Sequence, residues 1–151
     1  IKIVRRIQHS GKRFQRDNCF KIYLTNPSLR AALFSPLEAT DEAMGNLTET
    51  AIYAQWLHRL NFSPYYARWN TGEVDMVRLS DKELKPVWVL EIKWSDRYAK
   101  NPGELKSLTR FCKENALKQA LVTTATIQQV TEYEGIEFTF IPASSYAYTV
   151  G

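Results

Sequence analysis

Hydrophobic and polar positions alternate most regularly between residues 62 and 93. Phe62 to Trp69 reads as a strand interrupted early by Pro64, Glu73 to Leu79 as a second, and Pro86 to Lys93 as a third. Asn70-Thr71-Gly72 supplies a hairpin turn between the first two, and Ser80-Asp81-Lys82 starts a polar turn before the third. Upstream, Asn46 to Leu60 is the clearest helix, with Asn46 placed to cap it and Leu60-Asn61 to end it. Downstream, Asn101-Pro102 opens a helix with Pro at its first position. Its apolar stripe is Leu105, Leu108, Phe111 and Cys112. Gln119 to Thr124 and Ile136 to Ile141 follow as strands. Phe20 to Leu24 alternates well enough for a further short strand, Asn26-Pro27-Ser28 is a turn, and Leu29 to Phe34 suits a short helix. Helices before and after a three-strand meander predict an α/β domain: a mixed sheet of about five strands flanked by helices. Tyr146-Ala147-Tyr148 carries no usable pattern.

The third strand ends in charge. Glu91 and Lys93 close the run Val87-Trp88-Val89-Leu90-Glu91-Ile92-Lys93 and fall on one face of it. A carboxylate and an ammonium on a core strand are costly to desolvate unless paired or bound to something. Alone, Glu91 reads as an ion-paired strand residue and Lys93 as a strand-end lysine reaching water. The neighbouring antiparallel strand adds Asp75, which alternation places on a face with Glu73 and Val77. Glu73 is expected at the wet end of that strand. Glu49 lies at the edge of the helix's apolar face, beside Ile52, Tyr53 and Trp56. Asn46-x-x-Glu49 also fits a capping box, which does not exclude a role in chemistry.

Those residue types suit phosphodiester hydrolysis. Carboxylates such as Asp75 and Glu91 can hold a divalent metal that polarises a phosphate and acidifies water. Lys93 can orient that water or stabilise developing negative charge. Glu49 can complete a second metal site or accept a hydrogen bond from water. The chain has only His9 and His58 and two distant cysteines, Cys19 and Cys112. Zinc and Ser-His-Asp chemistry therefore have little to build with, and oxygen ligands favour Mg²⁺ or Mn²⁺. His58 reads as a helix-surface residue and His9 as solvated.

Composition narrows the setting. The 151 residues suit one domain, and 44% hydrophobic with 24% charged residues is ordinary for a globular protein. No apolar run reaches membrane-spanning length and no signal peptide opens the chain, so a reduced, cytoplasmic protein with no membrane partner is expected. The start at Ile1 suggests a piece of a longer protein. The net charge of +4 is uneven. Residues 1–30 carry eight Lys/Arg against Asp17 alone, whereas residues 31–151 carry fifteen acids against twelve basic residues. The basic segment can touch phosphates or serve as a solvated arm. Tyr65, Tyr66, Trp69 and Trp94 can stack on bases or simply fill strand faces.

Asp75 followed by Glu91-Ile92-Lys93, with Glu49 on a preceding helix, resembles the PD-(D/E)XK nuclease superfamily, the restriction-endonuclease-like fold. Val74 stands where the superfamily pattern places a proline. A closer likeness spans most of the chain: the run from Lys21 to Arg30, Gly45-Asn46-Leu47-Thr48-Glu49-Thr50, Gly72-Glu73-Val74-Asp75 and Glu91-Ile92-Lys93. Together these resemble the C-terminal nuclease-like domain of a family of predicted prokaryotic AAA+ ATPases. The resemblance implies an upstream ATPase and winged-helix region, with residues 1–19 as its basic remnant and residues 20–151 as the nuclease-like domain. It implies Asp75 and Glu91 as metal ligands, Lys93 and Glu49 as further catalytic residues, Mg²⁺ or Mn²⁺ as cofactor and DNA as partner. Homo-oligomerisation stays open. The chain holds no Gly-x-x-x-x-Gly-Lys-Ser/Thr loop for ATP. A rival expectation is a non-catalytic DNA-docking or protein-interaction module that keeps the fold and an inert polar cluster.

Overall fold

The computed structural model describes residues 1–7, 19–26, 28, 29, 32, 38–40, 42–59 and 62–150. They form an α/β fold around one mixed sheet of eight strands. In chain order the elements are β1 (Lys2–Ile7), β2 (Phe20–Tyr23), α1 (Ala43–Leu57), β3 (Tyr65–Trp69), β4 (Gly72–Leu79), β5 (Pro86–Glu91), α2 (Arg97–Lys100), a 3-10 turn at Pro102–Glu104, α3 (Lys106–Glu114), β6 (Gln119–Thr124), β7 (Gln129–Tyr133), β8 (Ile136–Pro142) and α4 (Ala143–Val150). The strands lie in the order β2-β1-β3-β4-β5-β6-β8-β7. The β3-β4-β5 meander is antiparallel, while β1 joins β3, and β5 joins β6, in parallel.

The sheet exceeds the expected five strands for identifiable reasons. β1 falls in the segment read as an upstream remnant, yet it sits inside the sheet between β2 and β3 and buries Val4 and Ile7. β7 is an edge strand whose Val130 faces solvent, so its apolar content is low. α4 buries Ala143, Tyr146 and Val150, three, then four residues apart, against the α1 side of the sheet. Trp56 Nε1 donates to the Tyr146 hydroxyl at 3.1 Å, and Arg59 Nε caps the Val150 carbonyl at 2.8 Å.

Each face of the sheet has its own core. One cluster joins Val74, Val77, Val89, Val122, Phe138 and Phe140 to Leu105, Leu108, Phe111 and Cys112, the expected stripe of α3. The other joins Val4, Tyr66, Met76 and Leu90 to Ile52 and Tyr53 of α1 and Tyr146 of α4.

Several local expectations shift. α1 starts at Ala43, a turn before Asn46, and has no side-chain cap. Asn46 is therefore interior to the helix, and its carbonyl accepts the Thr50 hydroxyl, so the capping-box reading of Asn46 and Glu49 does not hold. Pro102 opens the 3-10 turn and α3 begins at Lys106. The short helix expected from Leu29 lies largely outside the described residues, as do His9, Lys12, Arg13, Arg16 and Arg30. Gly72 closes the hairpin after Asn70-Thr71. A Cβ there would stand 2.5 Å from Ser107 Oγ and 2.6 Å from the Trp69 ring, so the close approach of α3 requires glycine. No helix among the described residues is long and apolar enough to cross a membrane.

Candidate functional site

A bulge in β4 sets the site. Tyr65 pairs with Val77 but Ala67 pairs with Val74, so β4 carries one extra residue against β3. Val74 and Val77 consequently share the α3 side, and Met76 turns to the α1 side. Strict alternation puts Asp75 with Val77; the bulge instead leaves it near Glu49 of α1. The bulge also frees the Asp75 carbonyl, which accepts a hydrogen bond from the buried Tyr53 hydroxyl.

β5 ends at Glu91 because the next backbone groups bond to side chains instead of a neighbouring strand. Asp75 Oδ2 accepts the Ile92 N–H at 2.8 Å. The Thr123 hydroxyl accepts the Lys93 N–H at 2.7 Å and donates to the Lys93 carbonyl at 2.8 Å. Thr123 is fully buried, so both bonds are shielded from water. Glu91-Ile92-Lys93 is thus fixed by its backbone to β4 and β6.

Lys93 Nζ lies 2.7 Å from Glu91 Oε1 and 3.6 Å from Asp75 Oδ2. The Glu91 side chain is only 9% exposed, and its Oε2 is buried with no hydrogen-bond partner. An orphan carboxylate oxygen in the interior is costly, which makes it a natural point for a cation to enter. Burial, then the Asp75 charge, pushes the Glu91 carboxyl up to about 8 against the pull of Lys93. Burial also raises Asp75, opposed by Lys93 and assisted by Glu49. Burial pulls Lys93 down, but Asp75 and Glu91 together hold it above the ordinary lysine value. The Cys112 thiol, behind Glu91 on α3, is pushed up to about 12 by burial and by the Glu91 charge.

Glu49 and Glu73 form a second, outer group. Lys21 of β2 bonds Glu49 Oε1 at 3.0 Å and also Glu73 Oε1. Tyr23, stacked on Tyr53 with ring centroids 4.0 Å apart, donates its hydroxyl to the same Glu49 oxygen. Glu73 Oε2 faces Arg68 Nε at 3.6 Å. One carboxylate oxygen each from Glu49, Glu73 and Asp75 lie within 4.8 Å of one another.

The structure therefore brings Asp75, Glu91 and Lys93 together, with Glu49 on the far side of Asp75. Glu73 is part-exposed near the start of β4, as expected of a strand-end acid, and is ion-paired there to Lys21 and Arg68. Lys21, Tyr23, Tyr53 and Thr123 join the site through bonds that sequence periodicity does not reveal. For Glu73 the signal was present in its spacing from Asp75; for Lys21 it was hidden among basic residues. The aromatic residues fill structure: Trp69 stacks near Phe111, Tyr66 is buried and Trp94 Nε1 donates to the Ala39 carbonyl. Tyr98 approaches Lys93, whose Nζ is 5.8 Å from its ring centroid, and Tyr66 approaches Lys21, whose Nζ is 5.1 Å from its ring centroid.

The donor set is made of carboxylate oxygens, with an open buried acceptor on Glu91, which fits a hard divalent cation such as Mg²⁺ or Mn²⁺. No protein-family model, no curated protein and no solved structure matches the chain.

Proposed function

We propose that the chain is a restriction-endonuclease-like domain that hydrolyses DNA phosphodiesters with Mg²⁺ or Mn²⁺, as the C-terminal part of an AAA+ ATPase. The observation that carries the reading is the meeting of Asp75, Glu91 and Lys93 at one end of β4 and β5, with an unpartnered buried oxygen on Glu91. Asp75 and Glu91 would hold the ion, which when bound polarises the scissile phosphate and lowers the pKa of water. Lys93 stays protonated, since the two carboxylates hold its pKa up. It therefore acts as a fixed cationic donor that orients the attacking water or a phosphate oxygen, not as a base. Thr123 holds the Lys93 backbone in place, and Tyr53 holds the Asp75 backbone. Glu49 supports from the outer side.

The test is nicking of supercoiled or branched DNA with Mn²⁺ by the wild type and by Lys93→Ala, together with calorimetric Mn²⁺ titration of the wild type and Glu91→Ala. The reading expects metal-dependent nicking abolished by Lys93→Ala, and binding heat lost in Glu91→Ala. Equal heats in both proteins, or none in either, sink the metal assignment. The alternative is a non-catalytic DNA-docking or protein-interaction module. It draws on the Lys21–Glu49 and Lys93–Glu91 ion pairs, which already balance part of the acidic charge. Nicking lost in Lys93→Ala rejects it.

A further inference from the structure

The acidic site has two halves, and a cation of the protein itself occupies one. Lys21 Nζ sits between Glu49 Oε1 and Glu73 Oε1 and 5.1 Å from the Tyr66 ring centroid. Glu49 Oε1 already accepts from both Lys21 and Tyr23. Glu73 offers one oxygen to Lys21 and the other to Arg68. Charge closes in this half: two carboxylates face two cations. In the other half, among the described residues, Asp75 and Glu91 form their ion pairs with Lys93, and Glu91 Oε2 has no partner. Asp75 borders both halves, which is where a bridging ligand of a two-metal site would stand.

We propose that the Lys21 ammonium takes the place of a second metal ion in the Glu49–Glu73–Asp75 group, so that the domain binds one divalent ion and gains a second only when Lys21 is removed. The inference rests on the metal site argued above and deepens it by setting its ion count. Dense positive charge and three N–H donors let an ammonium serve two carboxylates at once without a dehydration cost like that of Mg²⁺. Arginine at the same place would keep the charge, whereas methionine or glutamine would leave Glu49 and Glu73 short of it. β2 is an edge strand paired with β1 over four residues, and Tyr23, buried and stacked on Tyr53, anchors it to α1 beside Lys21.

The test counts bound Mn²⁺ by electron paramagnetic resonance and calorimetry on the whole chain. Wild type and Lys21→Arg are expected to bind one ion and Lys21→Met two. Lys21→Gln, which keeps hydrogen-bond donors for both carboxylates, is expected to bind two as well and serves if the methionine variant does not fold. Glu49→Gln added to either uncharged variant is expected to return the count to one. One ion in wild type and in both uncharged variants overturns the proposal and leaves the Asp75–Glu91 site standing. Two ions in the wild type do the same. No ion in the wild type but one in the uncharged variants upholds the role of Lys21 and overturns the Asp75–Glu91 site. No ion in any of them overturns both.

Discussion

The inner group, Asp75, Glu91 and Lys93, and the outer group, Glu49, Glu73 and Lys21, have the same make-up: two carboxylates and one lysine each. They differ in surroundings. The inner carboxylates are 13% and 9% exposed; the Ile92 N–H holds the Asp75 side chain, Tyr53 the Asp75 carbonyl and Thr123 the Lys93 backbone. The outer ones are 20% and 28% exposed, spread over a helix and a strand end, and Arg68 adds a further cation. Residue types alone therefore do not mark a metal site. Burial, a rigid backbone and an unpartnered oxygen separate the inner group from an ordinary ion-pair cluster.

The largest contrast lies in removing each lysine. Lys93→Met strands two buried carboxylates and is expected to cost about 3–5 kcal/mol of stability. Lys21→Met acts on part-exposed carboxylates, one of them still facing Arg68, and is expected to cost about 1 kcal/mol or less. Urea unfolding of both variants in EDTA checks this. Equal losses would erase the distinction between the groups.

A pH series sharpens it. The folded state raises Glu91 from the ordinary carboxylate value to about 8. Between those values the native protein binds a proton that the unfolded chain has lost. Stability of the metal-free protein is then highest below the unfolded value and falls as pH rises toward 8. Asp75, also raised, acts in the same direction. Glu91→Gln cannot titrate and is expected to flatten most of the slope in urea midpoints between pH 5 and pH 8.5. Parallel slopes for wild type and variant would contradict the burial of Glu91 as the cause.

Thr123→Val keeps the shape of a buried side chain and removes only its hydroxyl. The Lys93 N–H and C=O both lose their partner, at an expected cost of about 2–3 kcal/mol. Nicking is expected to fall as well, because Lys93 is no longer held. Full activity with normal stability would show that the backbone tether is dispensable.

What could be read in the chain follows the same division. Glu91 and Lys93 were visible because charge is anomalous at the end of Val87-Trp88-Val89-Leu90, and Glu49 because it borders Ile52 and Tyr53. The meander and the α3 stripe were legible from local periodicity. The joining of Glu49 to Glu73 and Lys21 was not, since Lys21 meets the two carboxylates across 28 and 52 residues. The bulge at Asp75 was equally hidden. Alternation gives a strand its faces but cannot reveal an extra residue that one partner strand accommodates. β7 is not legible because Val130 faces solvent, and α4 because its buried stripe has only three members, Ala143, Tyr146 and Val150.

The smallest expected effect comes from the hydroxyls that brace the two carboxylates. Tyr23 donates to Glu49, whose remaining partner is Lys21 and whose exposure lets water replace the lost bond. Tyr23→Phe should therefore cost only about 0.5–1 kcal/mol. Tyr53 donates to the Asp75 carbonyl from a fully buried position, and no water stands ready to take its place. Tyr53→Phe should cost about 1–3 kcal/mol, since it leaves a buried acceptor unsatisfied. The two rings stack on each other, so both changes leave the same packing intact and differ only in the bond removed. A urea midpoint lowered more by Tyr53→Phe than by Tyr23→Phe places the rigidity of the site on the inner side. The reverse order would mean that the outer group, through Glu49, is what holds α1 against the sheet.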